Sequence, residues 1–226
     1  MGYTTIMLET TALLKNDIVT MGQYLATRQY HAALAGNISA RVDADHLLCT
    51  RHGADKGAMT PDDIVLCDMD GNKIGGSGAP TSELTMHRAA YRGRPDIRAV
   101  VHAHPPTATA FAAASVALDE LMLPEMIVLL GSVALVPYAT PGTDELAKQL
   151  EPFFPAHDGF LLENHGALTV GRDVREAALR MELLEHNARI TLAVRQIGHP
   201  FRLRPEELET LLDLRRRTNE RKPIFG

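Results

Sequence analysis

Two histidines placed two residues apart are the first candidates for chemistry in this sequence. His102 and His104 end the run "IRAVVHAH", whose apolar character is typical of a β-strand. Because side chains along a strand repeat every two residues, the two imidazoles would lie on one face. Two imidazoles can share one divalent ion, but two ligands do not complete a site. An ordinary pair of histidines at a strand end is therefore the alternative.

A third ligand would have to come from another part of the chain. His165 in "LLENHGALTVG" follows an apolar run and precedes Gly166, which would let the backbone approach an ion closely. Three histidines with an open position are typical of catalytic zinc, whereas a turn residue bonded to backbone is the simpler interpretation of His165 alone. Five other histidines lie in polar or loop-like settings and are predicted to have no functional role: His31, His46, His157, His186 and His199.

Glu83 is the carboxylate to consider beside these histidines. It stands in the first turn of a helix that the sequence predicts to begin near Thr81 or Ser82. A carboxylate there is stabilised by the helix dipole, which explains it without any function. If the fold brings Glu83 near a bound substrate, the same group could take or give a proton.

The elements that would position these residues follow from hydrophobic periodicity and turn signals. A helical pattern covers 8–30, and short alternating strands with turns at 36–37, 43–45 and 70–72 come next. The later pattern comprises strands at 127–130 and 133–138, a helix at 144–153, two strands within 159–171, a long helix from Asp173 with Glu176 as a capping-box partner, and an Arg-rich helix at 205–217. This order predicts one domain over 1–226, with a mostly antiparallel or mixed sheet between helices.

Composition excludes several classes of protein. The chain is 45% hydrophobic and 23% charged, as expected for a globular protein with a full core. Its net charge of −5 argues against a nucleic-acid-binding protein, and no apolar run is long enough for a membrane span. The first residues do not resemble a secretory signal, and Cys49 and Cys67 form no motif. We therefore expect a cytoplasmic protein with two buried free thiols.

Four motifs, in this order and spacing, resemble the class II aldolase and adducin N-terminal domain family. They are "GNISAR" (36–41), "PTSELTMHRAAYRGRPDIRAVVHAHPPTATA" (80–110), "PYATPGT" (137–143) and "LLENHGALTVG" (161–171). The resemblance covers roughly residues 10–200. It implies a three-layer α/β/α sandwich with a central, mainly antiparallel sheet. It also implies a homotetramer with active sites at subunit interfaces.

The resemblance assigns a role to each candidate. His102, His104 and His165 would bind Zn²⁺, although Mn²⁺ or Co²⁺ also suit such a ligand set. Glu83 would be the acid/base. The implied reaction is the making or breaking of a carbon–carbon bond in a small hydroxyketone, such as a sugar phosphate, through a metal-stabilised enediolate. The alternatives are a sugar-phosphate 4-epimerase or a decarboxylase on the same metal site, and a non-enzymatic adducin-like module.

The substrate's phosphate has candidate ligands of its own. The resemblance implies that it is held by Gly36, Asn37, Gly53, Thr81 and Ser82, and His52 is a further candidate. Arg51 and His52 stand where phosphate-binding aldolases tend to have proline and a serine or threonine. Arg51 or His52 could bind a phosphate or carboxylate, Arg51 in a bidentate manner, or the two side chains could make the pocket smaller. Arg51 could also be a solvated loop residue. Glu125 falls near the position of a catalytic tyrosine of those aldolases, so the proton donor for the aldehyde would differ.

Overall fold

An eight-stranded sheet forms the centre of the protein. The computed structural model describes residues 3–201 and 203–220. The strands are β1 (Asn37–Arg41), β2 (His46–Thr50), β3 (Ile64–Asp68), β4 (Lys73–Gly75), β5 (Ala99–Ala103), β6 (Val133–Val136), β7 (Gly159–Leu162) and β8 (Gly166–Gly171). Their order is β4-β3-β2-β1-β5-β8-β7-β6. All neighbouring pairs are antiparallel except β6 and β7, which are parallel.

Helices cover both faces of this sheet. They are α1 (Tyr3–Thr27), α2 (Leu84–Gly93), α3 (Pro106–Ala113), α4 (Pro124–Leu129), α5 (Asp144–Leu150), α6 (Val174–Ile197) and α7 (Pro205–Glu220). One apolar core joins residues of α1, α3 and α6 to one face, and a second joins residues of α2 and α5 to the other. The predicted sandwich with a mainly antiparallel sheet is confirmed. In the described ranges, no helix is both long and apolar enough to cross a membrane.

The alternation of β5 decides which way its histidine faces. Ala99, Val101 and Ala103 belong to the core beneath α1, α3 and α6, whereas Val100 belongs to the core beneath α2 and α5. His102 has the same parity as Val100, so its side chain lies on the α2 face. The helix that begins next to Glu83 covers that same face.

Among the differences from the sequence predictions, one concerns α4 and another the start of α2. The predicted strand at 127–130 is wrong, because this segment is helical: α4 begins at Pro124, and the Leu130 N–H bonds to the Met126 carbonyl. A short apolar run cannot distinguish strand from helix by periodicity, and a proline at the first helical position favours the helix. Helix α2 begins at Leu84 rather than near Thr81, with Glu83 immediately before it.

The start of α6 follows the capping prediction. The Asp173 carboxylate accepts a hydrogen bond of 2.6 Å from the Glu176 backbone N–H. The Glu176 carboxylate accepts one from the N–H of Arg172, the residue before the cap. The reciprocal half of the capping box is thus shifted by one position.

Candidate active site

Three imidazoles converge at one end of the two central strands. His102 lies on β5, His104 directly follows β5, and His165 lies in the turn between β7 and β8. Because β5 pairs with β8, residues far apart in sequence become neighbours. One nitrogen from each of the three rings lies within 4.8 Å of the others, and the Nε2 atoms of His102 and His104 are 3.0 Å apart.

The buried ring of His102 is held in the tautomer that a metal ligand needs. Its Nδ1–H donates to the Ala167 carbonyl oxygen at 2.9 Å, which leaves the lone pair on Nε2 facing the other two rings. Burial lowers the pKa of His102 and of His104, so both rings are neutral at neutral pH. Neutral imidazole nitrogens directed at one point suit a divalent ion, so the residues fit the metal that the resemblance implies.

Glu83 stands next to this cluster. Its Oε1 lies 3.1 Å from Nε2 of His165 and its Oε2 lies 3.4 Å from Nε2 of His102. Burial alone would raise the pKa of Glu83, since it disfavours the charged form. The two imidazoles and the Asn37 amide outweigh that effect and hold the pKa well below its usual range. The carboxylate is therefore ionised while only 9% of the residue is exposed.

Hydrogen bonds between the α2 segment and β1 hold the Glu83 carboxylate in place, because the two elements have similar repeats. The helical side carries a polar residue every four positions, a rise of about 6 Å: Glu83, His87 and Tyr91. The strand side carries Asn37 and Ser39 of β1, which are about 6.6 Å apart along the strand. The Asn37 amide donates to Glu83 at 2.7 Å and its oxygen bonds to His87 Nε2 at 2.5 Å. His87 Nδ1 lies 2.7 Å from the Ser39 hydroxyl, which also meets the Tyr91 hydroxyl at 2.8 Å.

The direction of this chain of hydrogen bonds is determined. Burial lowers the pKa of His87 to about 4, so the ring carries a single N–H at neutral pH. Because the Asn37 oxygen can only accept, that N–H is on Nε2, and Nδ1 accepts from Ser39. Tyr91 then donates to Ser39. The sequence reading missed His87, although its spacing of four residues from Glu83 was a usable signal.

A cavity of about 400 Å³ opens beside Glu83 and two of the histidines. Glu83, the predicted acid/base, lies in its wall. So do seven residues that the sequence analysis named for binding the substrate or its phosphate: Gly36, Asn37, Arg51, His52, Gly53, Thr81 and Ser82. His104 and His165 also line it, and so do Lys56 and Pro141, which the sequence reading missed. Lys56 lies in the loop "GADKG", where a single lysine gives no periodic or motif signal.

Close packing explains two glycines at this site. Gly36 has a φ of +78°, and a Cβ there would lie 2.3 Å from Nδ1 of His31. A Cβ on Gly166 would lie 2.5 Å from Cδ2 of His104. His31 is therefore a packed neighbour of the site rather than a loop residue in solvent. Its burial lowers its pKa to about 3, and neither ring nitrogen has a hydrogen-bond partner in the described part of the chain.

The remaining predicted residues differ in their exposure and in whether other groups of the protein already bind them. Nε of Arg51 donates to Asp63 at 2.6 Å, so part of the guanidinium is already engaged within the protein. His52 and Ser82 are exposed, whereas Thr81 is buried and its hydroxyl accepts from the Glu83 N–H at 3.4 Å. Glu125 is exposed in the first turn of α4 and is not among the residues that line the cavity.

Comparison with known proteins identifies the fold and the family. The profile of the class II aldolase and adducin N-terminal domain family matches residues 16–192. The chain belongs to this family. The resemblance found in the sequence is thereby confirmed. Class II aldolases are metal-dependent, and the three-histidine cluster could hold such an ion.

Relatives within the class II aldolase family carry two different names. L-fuculose phosphate aldolase of Methanococcus maripaludis is 35% identical over 181 residues, covering 80% of this chain and 97% of the relative. 3-Oxo-tetronate 4-phosphate decarboxylase of Haemophilus influenzae is 32% identical over 184 residues, covering 78% and 85%. Sequence similarity to named relatives thus supports a lyase but does not choose between aldolase and decarboxylase.

A solved structure has the same architecture. YgbL of Klebsiella pneumoniae, for which an aldolase, epimerase or decarboxylase activity is suggested, superposes with a TM-score of 0.83 at 31% identity. The match covers 89% of this chain and 98% of YgbL. The class II aldolase fold is therefore shared over nearly the whole of that protein.

Proposed function

We propose that this protein is a divalent-metal-dependent aldolase that makes or cleaves a carbon–carbon bond in a small phosphorylated hydroxyketone. The observation that carries the proposal is the meeting of three imidazoles and one ionised carboxylate beside a polar cavity. His102, His104 and His165 would hold the ion. When bound, a divalent ion supplies Lewis-acid stabilisation of negative charge on the substrate's oxygens.

Glu83 is the proposed acid/base. As an ionised carboxylate it takes the proton from the carbon next to the substrate carbonyl, and it returns a proton in the reverse direction. The Asn37 amide restrains one carboxylate oxygen, and His87 restrains Asn37, so the base keeps its orientation before substrate arrives. This preorganisation avoids reorienting the base during the reaction.

The cavity walls supply the binding groups. Backbone and side chains of Gly36, Asn37, His52 and Gly53, together with Thr81 and Ser82, are the proposed contacts for the phosphate. Arg51 is a secondary candidate, because Asp63 already occupies its Nε. Glu125 lies outside the cavity of this chain, so a role for it would require the neighbouring subunit of an oligomer.

A decarboxylase is the second candidate. A relative at 32% identity is named 3-oxo-tetronate 4-phosphate decarboxylase, and loss of CO₂ would leave a negative charge on the same oxygens as proton removal. An epimerase using bond cleavage and re-addition on the same site is a further variant, whereas a non-enzymatic adducin-like module would have no use for an open three-histidine cluster.

Finer properties are proposed on the same basis. We propose Zn²⁺ as the native ion, with Mn²⁺ and Co²⁺ as active substitutes, and a homotetramer with active sites at subunit interfaces. We also propose a single functional domain over 1–226 and a cytoplasmic location. The two cysteines are free and buried, as suits a reducing compartment.

Two parallel assays test the reaction. The metal-loaded protein is incubated with dihydroxyacetone phosphate and a panel of aldehydes, and separately with 3-oxo-tetronate 4-phosphate while CO₂ is measured. Condensation products support the aldolase, and CO₂ release supports the decarboxylase. His165→Ala should abolish either activity, whereas His199→Ala, an exposed histidine away from the cavity, should not. Absence of both products from fully metal-loaded protein would refute the proposal.

A further inference from the structure

One cation in the cavity is buried without an anionic partner. Lys56 lines the cavity in the loop after β2, and only 2% of it is exposed. Its ammonium donates to the carbonyl oxygens of Leu34 at 2.5 Å and Ala54 at 2.7 Å. An ammonium group has three protons, so these two bonds leave one donor available. Among the described residues, no carboxylate oxygen lies within 4.0 Å of Nζ.

This arrangement is unfavourable for the protein by itself. Buried charges in folded proteins are normally paired, because removal from water disfavours the charged form. Burial accordingly lowers the pKa of Lys56 to about 8, and Asp55 and Glu83 counter that effect only by longer-range attraction. Arg180 shows the usual solution, since it is equally enclosed but meets the carboxylates of Asp158 and Glu176.

The rest of the cavity wall lacks a comparable free positive charge. Thr81, Ser82 and Asn37 offer neutral groups, and the guanidinium of Arg51 is held by Asp63. An anionic ligand in this cavity would therefore meet Lys56 as its main cationic side chain. A hydrogen bond between two charged groups is stronger than one between neutral groups, so this contact would discriminate between charged and uncharged substrates.

We propose that Lys56 is a specificity-determining residue whose ammonium group binds an anionic group of the substrate, a phosphate monoester or a carboxylate. The inference rests on the proposed function in one respect, namely that this cavity receives the substrate. It adds a residue outside the set of phosphate contacts that the family resemblance implies, and it predicts that uncharged hydroxyketones are poor substrates.

The alternative role of Lys56 is mechanical. Leu34 and Ala54 belong to the two loops that precede Asn37 and follow β2, so the two hydrogen bonds tie together the loops that form the cavity wall. A neutral donor can perform that task, but it cannot neutralise an anion. Substitutions that separate hydrogen bonding from charge therefore distinguish the two roles.

The test measures anion binding without turnover. Isothermal titration calorimetry is done on metal-loaded protein with inorganic phosphate in one arm and acetate in the other, which separates the two anion sources. Lys56→Gln keeps an N–H donor without charge, Lys56→Arg keeps the charge, and Lys56→Met removes both. Lys73→Gln is the matched control, because Lys73 also donates to a carbonyl, that of Gly78, but is exposed outside the cavity.

We expect Lys56→Gln and Lys56→Met to weaken binding of the preferred anion at least tenfold, while Lys56→Arg and Lys73→Gln stay within about threefold of wild type. In assays, KM for the phosphorylated ketone should rise in parallel, with kcat changed much less. If Lys56→Gln binds both anions as tightly as wild type, or if wild type binds neither, the proposal is overturned. Because calorimetry needs no catalysis, the anion-binding result can be interpreted even if the protein does not catalyse the proposed reaction.

Discussion

Two groups of buried ionisable side chains lie in this molecule, and their partners differ. Around Asp158, which is 4% exposed, three guanidinium groups approach its carboxylate: Arg94 at 3.0 Å, Arg180 at 3.1 Å and Arg215 at 2.6 Å. We call this group the Asp158 cluster. Each charge there faces an opposite charge supplied by another element of the same chain.

The site around Glu83 is arranged in the opposite way. Three imidazoles turn nitrogens toward one another, and Nδ1 of His165 is buried without a hydrogen-bond partner among the described residues. Groups that are desolvated and left incompletely bonded in the free protein mark a place where a ligand completes the bonding. The comparison teaches that buried charge indicates function when the protein itself does not supply the partner.

Removing a metal ligand should break the site and leave the Asp158 cluster intact. For His102→Ala we expect bound metal to fall from about one ion per chain to below about 0.1, and activity to fall to background. Metal content by mass spectrometry and the lyase assay check both. His199→Ala should retain ion and activity. A His102→Ala protein with a full complement of metal would show that this cluster is not the metal site.

Changing the base should separate metal binding from turnover. In Glu83→Gln the amide cannot accept a proton, so kcat should fall by about 10²–10⁴-fold while metal content stays the same. Glu120→Gln, which loses only the exposed pair with Arg195, serves as the control. Undiminished kcat in Glu83→Gln would remove this residue from the role of base.

The Asp158 cluster should respond in stability rather than in rate. Asp158→Ala removes the carboxylate that three guanidinium groups share and leaves Arg215 without an anionic partner among the described residues. We expect the free energy of unfolding to fall by about 3–5 kcal/mol. Urea titration measures this, and kcat per folded molecule should stay near wild type. Asp70→Ala removes an exposed ion pair with Arg92 and should cost less than about 1 kcal/mol. Loss of kcat with unchanged stability in Asp158→Ala would contradict the division of roles.

Low pH should destabilise the protein through His87, which holds Asn37 beside Glu83, and this effect is smaller than that of Asp158→Ala. The pKa of His87 is lowered from 6.5 to about 4 by burial, although the charge of Glu83 opposes that shift. Because the unfolded chain takes up this proton first, stability is lost as pH falls from about 6.5 toward 4. At pH 5 the expected decrease in the free energy of unfolding is about 2 kcal/mol.

The check is the pH dependence of unfolding in wild type and His87→Asn. Asn37, Ser39 and Tyr91, which surround His87, carry no charge near these pH values, and the three-histidine cluster is the same in both proteins. The difference between the two curves therefore reports His87. Parallel curves for the two proteins between pH 6.5 and 4.5 would refute the assignment of a buried neutral ring.

Local signals explain which parts the sequence could predict. The alternation in "AVVHAH" placed His102 on one face of a strand, and Asp173 with Glu176 marked the start of α6. The run at 127–130 was too short for its period to distinguish strand from helix. Lys56 could not be found at all, because its burial depends on two loops that close over it, and nothing local records that contact.

The order of strands in the sheet also determines when the site can exist. His102 and its hydrogen-bond partner Ala167 are 65 positions apart, and β5 pairs with β1 and β8 across similarly long stretches. Such distant pairings form slowly, since a long loop must close before any contact repays its entropy. Of the three proposed metal ligands, only His102 and His104 are close together in the unfolded chain. We therefore expect a metal ion to bind the folded protein and to stabilise it by mass action, and not to nucleate folding.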